Sequence, residues 1–217
     1  MTSTTKPSSN PSKVLKTEPL DHKDAKWATL TSITFLDPSG NQRRWESASR
    51  LTRPAGSSID AVGVAAILHD PAAGSPRIVL QKQWRAPAEA VVIEIPAGLM
   101  DEGETAGECA VRELREETGY VGRVMEGEFG VSPVMFNDPG FCNTNLKMVQ
   151  VEVDMALPEN QDPKPQLEPG EFIETFTVPL TDLYAECVRF EKEGYVLDAR
   201  VGTLAQGVEF AKRWKLA

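Results

Sequence analysis

A run of 23 residues, from Gly98 to Tyr120, constrains this chain more than any other feature. Within it, Glu113, Glu116 and Glu117 fall at i, i+3 and i+4. In a helix, Glu113 and Glu117 stack one turn apart with Glu116 beside them. Three carboxylates on one strip repel one another and destabilise a bare helix. A hard divalent cation turns that liability into a binding site. Mg²⁺ takes oxygen ligands and keeps waters and substrate phosphates in its shell. The run therefore predicts a helix that holds magnesium against a phosphate.

Local grammar supports the helix. Thr105-Ala-Gly-Glu108 is a capping-box pattern, and Gly119 is a good terminator. Ala106, Ala110, Val111, Leu114 and Thr118 form the less polar side. The carboxylate strip borders that side, so it belongs at the rim of a packed core. Gly98 and Gly103 fall in the preceding loop, where the backbone must turn tightly. A bland reading competes: Arg112 and Glu116 make an ordinary i,i+4 pair on a solvated helix. For the hexamer Arg112–Glu117 alone the two readings weigh about equally. Gly98 and Glu104 upstream, and Thr118-Gly119-Tyr120 at the end, shift the balance to the functional one.

Together these residues fill the pattern G-x5-E-x7-R-E-U-x-E-E-x-G-U, where U is a bulky apolar residue. The chain in this respect resembles the Nudix hydrolases. Tyr120 departs from the aliphatic residue usual at the last position. The resemblance implies an α/β/α sandwich around a mixed sheet. It also implies hydrolysis of a nucleoside diphosphate linked to another group.

At 217 residues, with 41% hydrophobic and 25% charged residues, one domain with appendages is expected. The net charge of −9 offers no basic face for nucleic acid. No apolar run reaches membrane-spanning length. Cys109, Cys142 and Cys187 lack metal-type spacing and suit a reducing compartment. Residues 1–24, rich in Ser, Thr, Pro and Lys, read as a disordered tail without the marks of a secretory signal or a transit peptide. The expected address is the cytoplasm, with the nucleus as an alternative. Residues 25–56 read as an N-terminal strand hairpin and 57–217 as the hydrolase domain.

Along the chain, Trp27–Leu36 and Asn41–Ser47 read as a hairpin around the turn Asp37-Pro-Ser-Gly40. Strands are expected at Val62–Leu68, Arg77–Trp84, Val91–Ile95, Val121–Val131, Leu146–Val153 and Phe172–Val178. Asp154–Gly170 reads as a surface loop. Pro179–Lys192 and Thr203–Leu216 read as helices. This order is that of an α/β sandwich with an N-terminal β-hairpin subdomain.

From Trp27 onward the chain further resembles the eukaryotic ADP-ribose (ADP-sugar) pyrophosphatases. Lys26-Trp27, Arg44-Trp45-Glu46-Ser47, Leu80-Gln-Lys-Gln-Trp-Arg85, Ile93-Glu94-Ile-Pro-Ala-Gly-Leu99, Asp138-Pro-Gly140 and Pro169-Gly-Glu171-Phe172 carry the likeness. It implies magnesium ligands at the Ala97 carbonyl, Glu113 and Glu117, with Glu116 as ligand or charge partner and Mn²⁺ as a substitute ion. Arg112 would orient the carboxylates. Glu171 would join the metal cluster or act as general base, a role a box glutamate such as Glu116 could also take. Arg85 would clamp a phosphate. Trp27 and Trp45 would stack on adenine, with Glu46 and Arg50 serving its edge. Leu99 would line the site and Asp138 would contact the terminal ribose. For an arbitrary tryptophan, core packing is the better bet, and Trp84 and Trp214 read as structural. In this family the N-terminal strands cross onto a partner subunit, so a homodimer is implied.

The expected reaction is Mg²⁺-dependent hydrolysis of ADP-ribose to AMP and ribose 5-phosphate. Some ADP-ribose hydrolases place a proline about fifteen residues beyond the box, and here the nearest are Pro133 and Pro139. That leaves ADP-mannose, ADP-glucose or an oxidised nucleoside diphosphate as other substrates. A non-catalytic ADP-ribose sensor is a different class of answer, but such modules lose box glutamates, and all are present here. Decapping of mRNA would favour a basic track, which the charge does not supply.

Overall fold

The structure is a computed structural model that describes residues 11–70 and 74–216. Residues 1–10 of the expected tail lie outside the described residues. Residues 11–21 carry no regular element and lead to a single 3-10 turn at His22–Asp24.

Strands β1 (Ala28–Leu36) and β2 (Gln42–Arg50) form a two-stranded antiparallel sheet of their own. Its turn is closed by the Asp37 carboxylate, which accepts from the backbone N–H of Ser39 and Asn41. Gly40 supplies a positive φ of 81° there. Trp27 stands just before β1, and Trp45 lies opposite Ile33.

The main sheet has nine strands. They are β3 (Ala61–His69), β4 (Arg77–Arg85), β5 (Ala90–Glu94), β6 (Ala97–Leu99), β7 (Arg123–Val124), β8 (Met135–Phe136), β9 (Asn145–Asp154), β10 (Ile173–Pro179) and β11 (Val196–Leu197). β3 pairs in parallel with β9, and β5 with β11; the other pairings are antiparallel. β3 and β4 share a register only at Ile67–Leu68 and Ile78–Arg77 before they separate. Beyond that point β6 takes the edge of β3, and β5 the edge of β4.

Strand side chains alternate between two cores, as a two-residue period dictates. Val62, Val64, Ala66, Leu68, Val79, Val149 and Val151 pack against Cys109, Ala110 and Leu114 of helix α1 (Ala106–Thr118). Ile78, Leu80, Ile93 and Val178 pack against helices α2 (Leu183–Lys192) and α3 (Ala199–Trp214). The result is a mixed sheet with helices on both faces, the expected sandwich.

Five readings need correction. Of the expected strand at 121–131, only Arg123–Val124 forms a strand and Val131 a single bridge to Val149, because the segment between turns through Gly127 (φ 83°) and Gly130. Helix α2 starts at Leu183, after a 3-10 turn at Leu180–Asp182, and α3 starts at Ala199, capped by Asp198. The loop after β9 is not wholly superficial: Asn160 is fully buried and hydrogen-bonds both backbone groups of Val121. Trp214 is not a core residue but lies 67% exposed beside Phe210 at the end of α3. Trp84 is half-buried in β4.

Candidate active site

Helix α1 begins as the sequence requires. Thr105 accepts from the Glu108 N–H, and the Glu108 carboxylate accepts from the Thr105 N–H, the reciprocal capping box. Gly119 ends the helix at φ 77°, and its N–H bonds the Arg115 carbonyl. With both ends fixed, the carboxylate strip points at the turn between β5 and β6.

Arg112 is the hub. Its guanidinium donates to Glu104 through Nε and Nη2 (both 2.9 Å), and through Nη1 to Glu113 (2.7 Å) and Glu116 (3.1 Å). Nη2 also reaches the Leu99 carbonyl at 3.2 Å. These are charge-assisted bonds, so Arg112 fixes three carboxylates and the β6 backbone together. The Arg112 pair holds the Glu104 carboxyl below its ordinary range.

Glu117 goes deeper than the rim expected of it, with only 5% of its surface exposed. Its Oε2 accepts from the Ala97 N–H at 2.9 Å, and its Oε1 faces the Gln81 amide at 3.4 Å. Burial, aided by the nearby Glu113 charge, pushes its carboxyl up to about 8. Burial likewise raises Glu113. Gly98 makes this packing possible: a Cβ there would lie 1.8–2.4 Å from the Glu113 carboxyl atoms.

Glu171 sits on the loop before β10, where it accepts from the Glu168 N–H at 2.9 Å. It makes no hydrogen bond to α1, but its charge acts on Glu113 and Glu117. Arg85, at the end of β4, is held bidentately by buried Glu94 (2.9 and 2.7 Å). Ala97 and Leu99 both lie in β6 beside the strip.

The tryptophans belong to the hairpin. Trp27 and Trp45 are 71% and 52% exposed. Trp45 Nε1 donates to the Gly140 carbonyl at 3.1 Å, which ties the hairpin to the turn that starts at Asp138. Among the described residues, no hydrogen bond or ion pair joins Trp27, Trp45, Glu46, Arg50 or Asp138 to the α1 carboxylates.

Two site neighbours escaped sequence reading as functional residues, Gln81 and Glu94. Their signal was partial: Gln81 follows the apolar run Ile78–Leu80, Glu94 ends the apolar run Val91–Ile93, and each is buried. Such positions call for a partner.

The NUDIX domain, as a family, matches residues 60–198 of this chain. The chain belongs to the Nudix family. This Nudix chain is 50% identical over 193 residues to a Saccharomyces cerevisiae protein named ADP-ribose pyrophosphatase, across 89% of the chain and 81% of that relative. It is 36% identical over 194 residues to a Mus musculus protein named ADP-sugar pyrophosphatase, across 89% of the chain and 86% of that relative. The crystal structure of an ADP compounds hydrolase superposes with a TM-score of 0.54 at 18% identity, covering 99% of this chain and 98% of that one. At that identity the likeness speaks for the fold alone.

Proposed function

We propose that this Nudix hydrolase cleaves the pyrophosphate bond of ADP-ribose, giving AMP and ribose 5-phosphate. The observation that carries this reading is the strip of carboxylates on α1, organised by Arg112 and completed by buried Glu117. The identity to a yeast relative named for ADP-ribose supports the substrate. The mouse relative is named for ADP-sugars at large, which favours ADP-mannose or ADP-glucose as second substrates.

The donor set fits a divalent cation, Mg²⁺ in our reading, with Mn²⁺ as a substitute. Glu104, Glu113 and Glu116 gather around one guanidinium, with Glu117 on the same helix and the Glu113 and Glu171 charges acting on it. That surplus of negative charge at a partly buried place calls for a cation. Among the described residues, no three His, Cys, Asp or Glu side chains already form a cation cage. Waters and phosphate oxygens would therefore have to fill much of the shell of a cation bound here. Glu113, Glu116, Glu117 and the Ala97 carbonyl would hold it. Such a cation, when bound, neutralises phosphate charge and acidifies a coordinated water.

The chain's own residues do the rest. Arg112 keeps Glu113 and Glu116 at fixed positions. Glu171, or a box glutamate such as Glu116, takes the proton of the attacking water. Arg85 spends Nε and one Nη2 hydrogen on Glu94, so its remaining donors are pre-oriented for a phosphate. Trp27 and Trp45 stack on adenine, Glu46 and Arg50 read its surroundings, Leu99 lines the pocket and Asp138 meets the terminal ribose. Because no hydrogen bond or ion pair joins the two groups among the described residues, and the hairpin leaves apolar surface exposed, a homodimer that brings a partner's hairpin to the site is part of this reading.

Product analysis tests it. Purified protein with Mg²⁺ and ADP-ribose should release AMP and ribose 5-phosphate, and Glu117→Gln should lower that rate by at least about 10²-fold. Turnover of other nucleotides alone would sink the substrate, and tight ADP-ribose binding without turnover would make the protein a sensor.

A further inference from the structure

Gln81 occupies the middle of β4, in register with Glu94 of β5 and Thr175 of β10. It is fully buried, among strand neighbours Ile78, Val79 and Leu80 that are apolar. Its Nε2 faces the Glu117 carboxylate at 3.4 Å, a long contact for an N–H donor. Thr175 Oγ1 reaches the Glu117 backbone carbonyl at the same distance, so β4 and β10 both address this one residue. The Gln81 Oε1 atom is buried and accepts no hydrogen bond from any described group.

The amide cannot simply be turned over to solve this. With Glu117 ionised, as it must be to hold a cation, reversal would set the amide carbonyl against the carboxylate, acceptor against acceptor. A buried, unsatisfied carbonyl lowers stability, whereas an apolar residue of similar shape would not. What completes it must be a hydrogen-bond donor or a cation. A phosphate oxygen is an acceptor and cannot serve. A water bound to a divalent cation can, because it presents polarised O–H groups outward.

We propose that Gln81 is a positioning residue of the cation site: its carbonyl holds a water of the cation's shell while its amide nitrogen steadies Glu117. This rests on the cation reading given under Proposed function. Partners of this kind around metal ligands change metal affinity by about 10–100-fold. Gln81 therefore tunes cation affinity without touching substrate.

Mn²⁺ titration of the full chain, read by electron paramagnetic resonance without substrate, tests this. Gln81→Met and Gln81→Leu should weaken Mn²⁺ binding about 10-fold. In EDTA their Tm should match or exceed that of the parent, because the orphaned carbonyl is gone. Unchanged Mn²⁺ affinity in either folded variant overturns the proposal. Gln81→Glu offers an independent check: its Tm in EDTA should fall, and Mn²⁺ should raise it by more than in the parent. An equal rise overturns the proposal too. Glu117→Gln guards the premise. Were it to bind Mn²⁺ as tightly as the parent, the cation site itself would be misplaced, whatever Gln81 did.

Discussion

At position 98 the absence of a side chain is the structural requirement. The Glu113 carboxyl fills the place a Cβ would take, at 1.8–2.4 Å. Gly98→Ala should push that carboxylate off its bond with Arg112 while α1 itself stays folded. A displacement of that order at a catalytic group costs about 10²-fold in rate. Steady-state kinetics and circular dichroism on the variant would show lost kcat with retained helix; a fully active variant would contradict the packing. Glu117 makes a second prediction, about pH. Its carboxyl sits at about 8 when folded against an ordinary 4.5. Between those values the folded chain keeps a proton that the unfolded chain has released. Stability must therefore fall as pH rises from about 4.5 through about 8, with Glu113 adding in the same direction. In EDTA, Tm should drop from pH 6 to pH 8.5, and Glu117→Gln should flatten the slope. A variant with the parent's slope would place the titration elsewhere.

Element by element, legibility follows the strength of local signals. Helix α1 could be read because its caps, its apolar side and its terminator agree, and the structure repeats each. Strands β6, β8 and β11 could not, since two or three residues carry no alternation and form only where a neighbouring edge is offered. The carboxylates on α1 were likewise visible in the spacing. The burial of Glu117, the clamp of Glu94 on Arg85 and the orphaned Gln81 carbonyl arise from strands meeting at a distance, which no local pattern encodes. The connection between β2 and β3 is another such case. Arg53 grips buried Asp60 at 2.9 and 2.7 Å, and Asp60 also accepts from the Asn145 N–H. Burial alone would raise the Asp60 carboxyl, but these bonds outweigh it and hold it below its ordinary value. Breaking a fully buried pair costs ~3–5 kcal/mol. Arg53 is 31% exposed, so Asp60→Asn should cost less, about 2 kcal/mol. Urea unfolding measures it, and a loss below about 0.5 kcal/mol would show the clamp to be incidental.

For the molecule as a whole, the hairpin poses the open question. A two-stranded sheet is marginal by itself. This one is held to the body through Ala48, whose backbone bonds Phe141 and Asn143, and through Trp45 on Gly140. Yet Leu30 and Leu36 are 72% and 70% exposed, and Trp27 is scarcely covered. We take this exposed apolar surface on the hairpin as the place a partner covers. A second copy of the chain is the occupant our reading requires, because the tryptophans and the carboxylates are not joined within one chain. Leu30→Glu is the clean test, since so exposed a side chain contributes little packing inside the monomer. Light scattering should give a dimer for the parent and a monomer for the variant. ADP-ribose turnover at low substrate should fall with the dimer, by about 10-fold or more if the partner's hairpin holds adenine. Melting of the variant should stay cooperative. A parent that is monomeric and fully active would instead mean that one chain closes its own hairpin over the nucleotide.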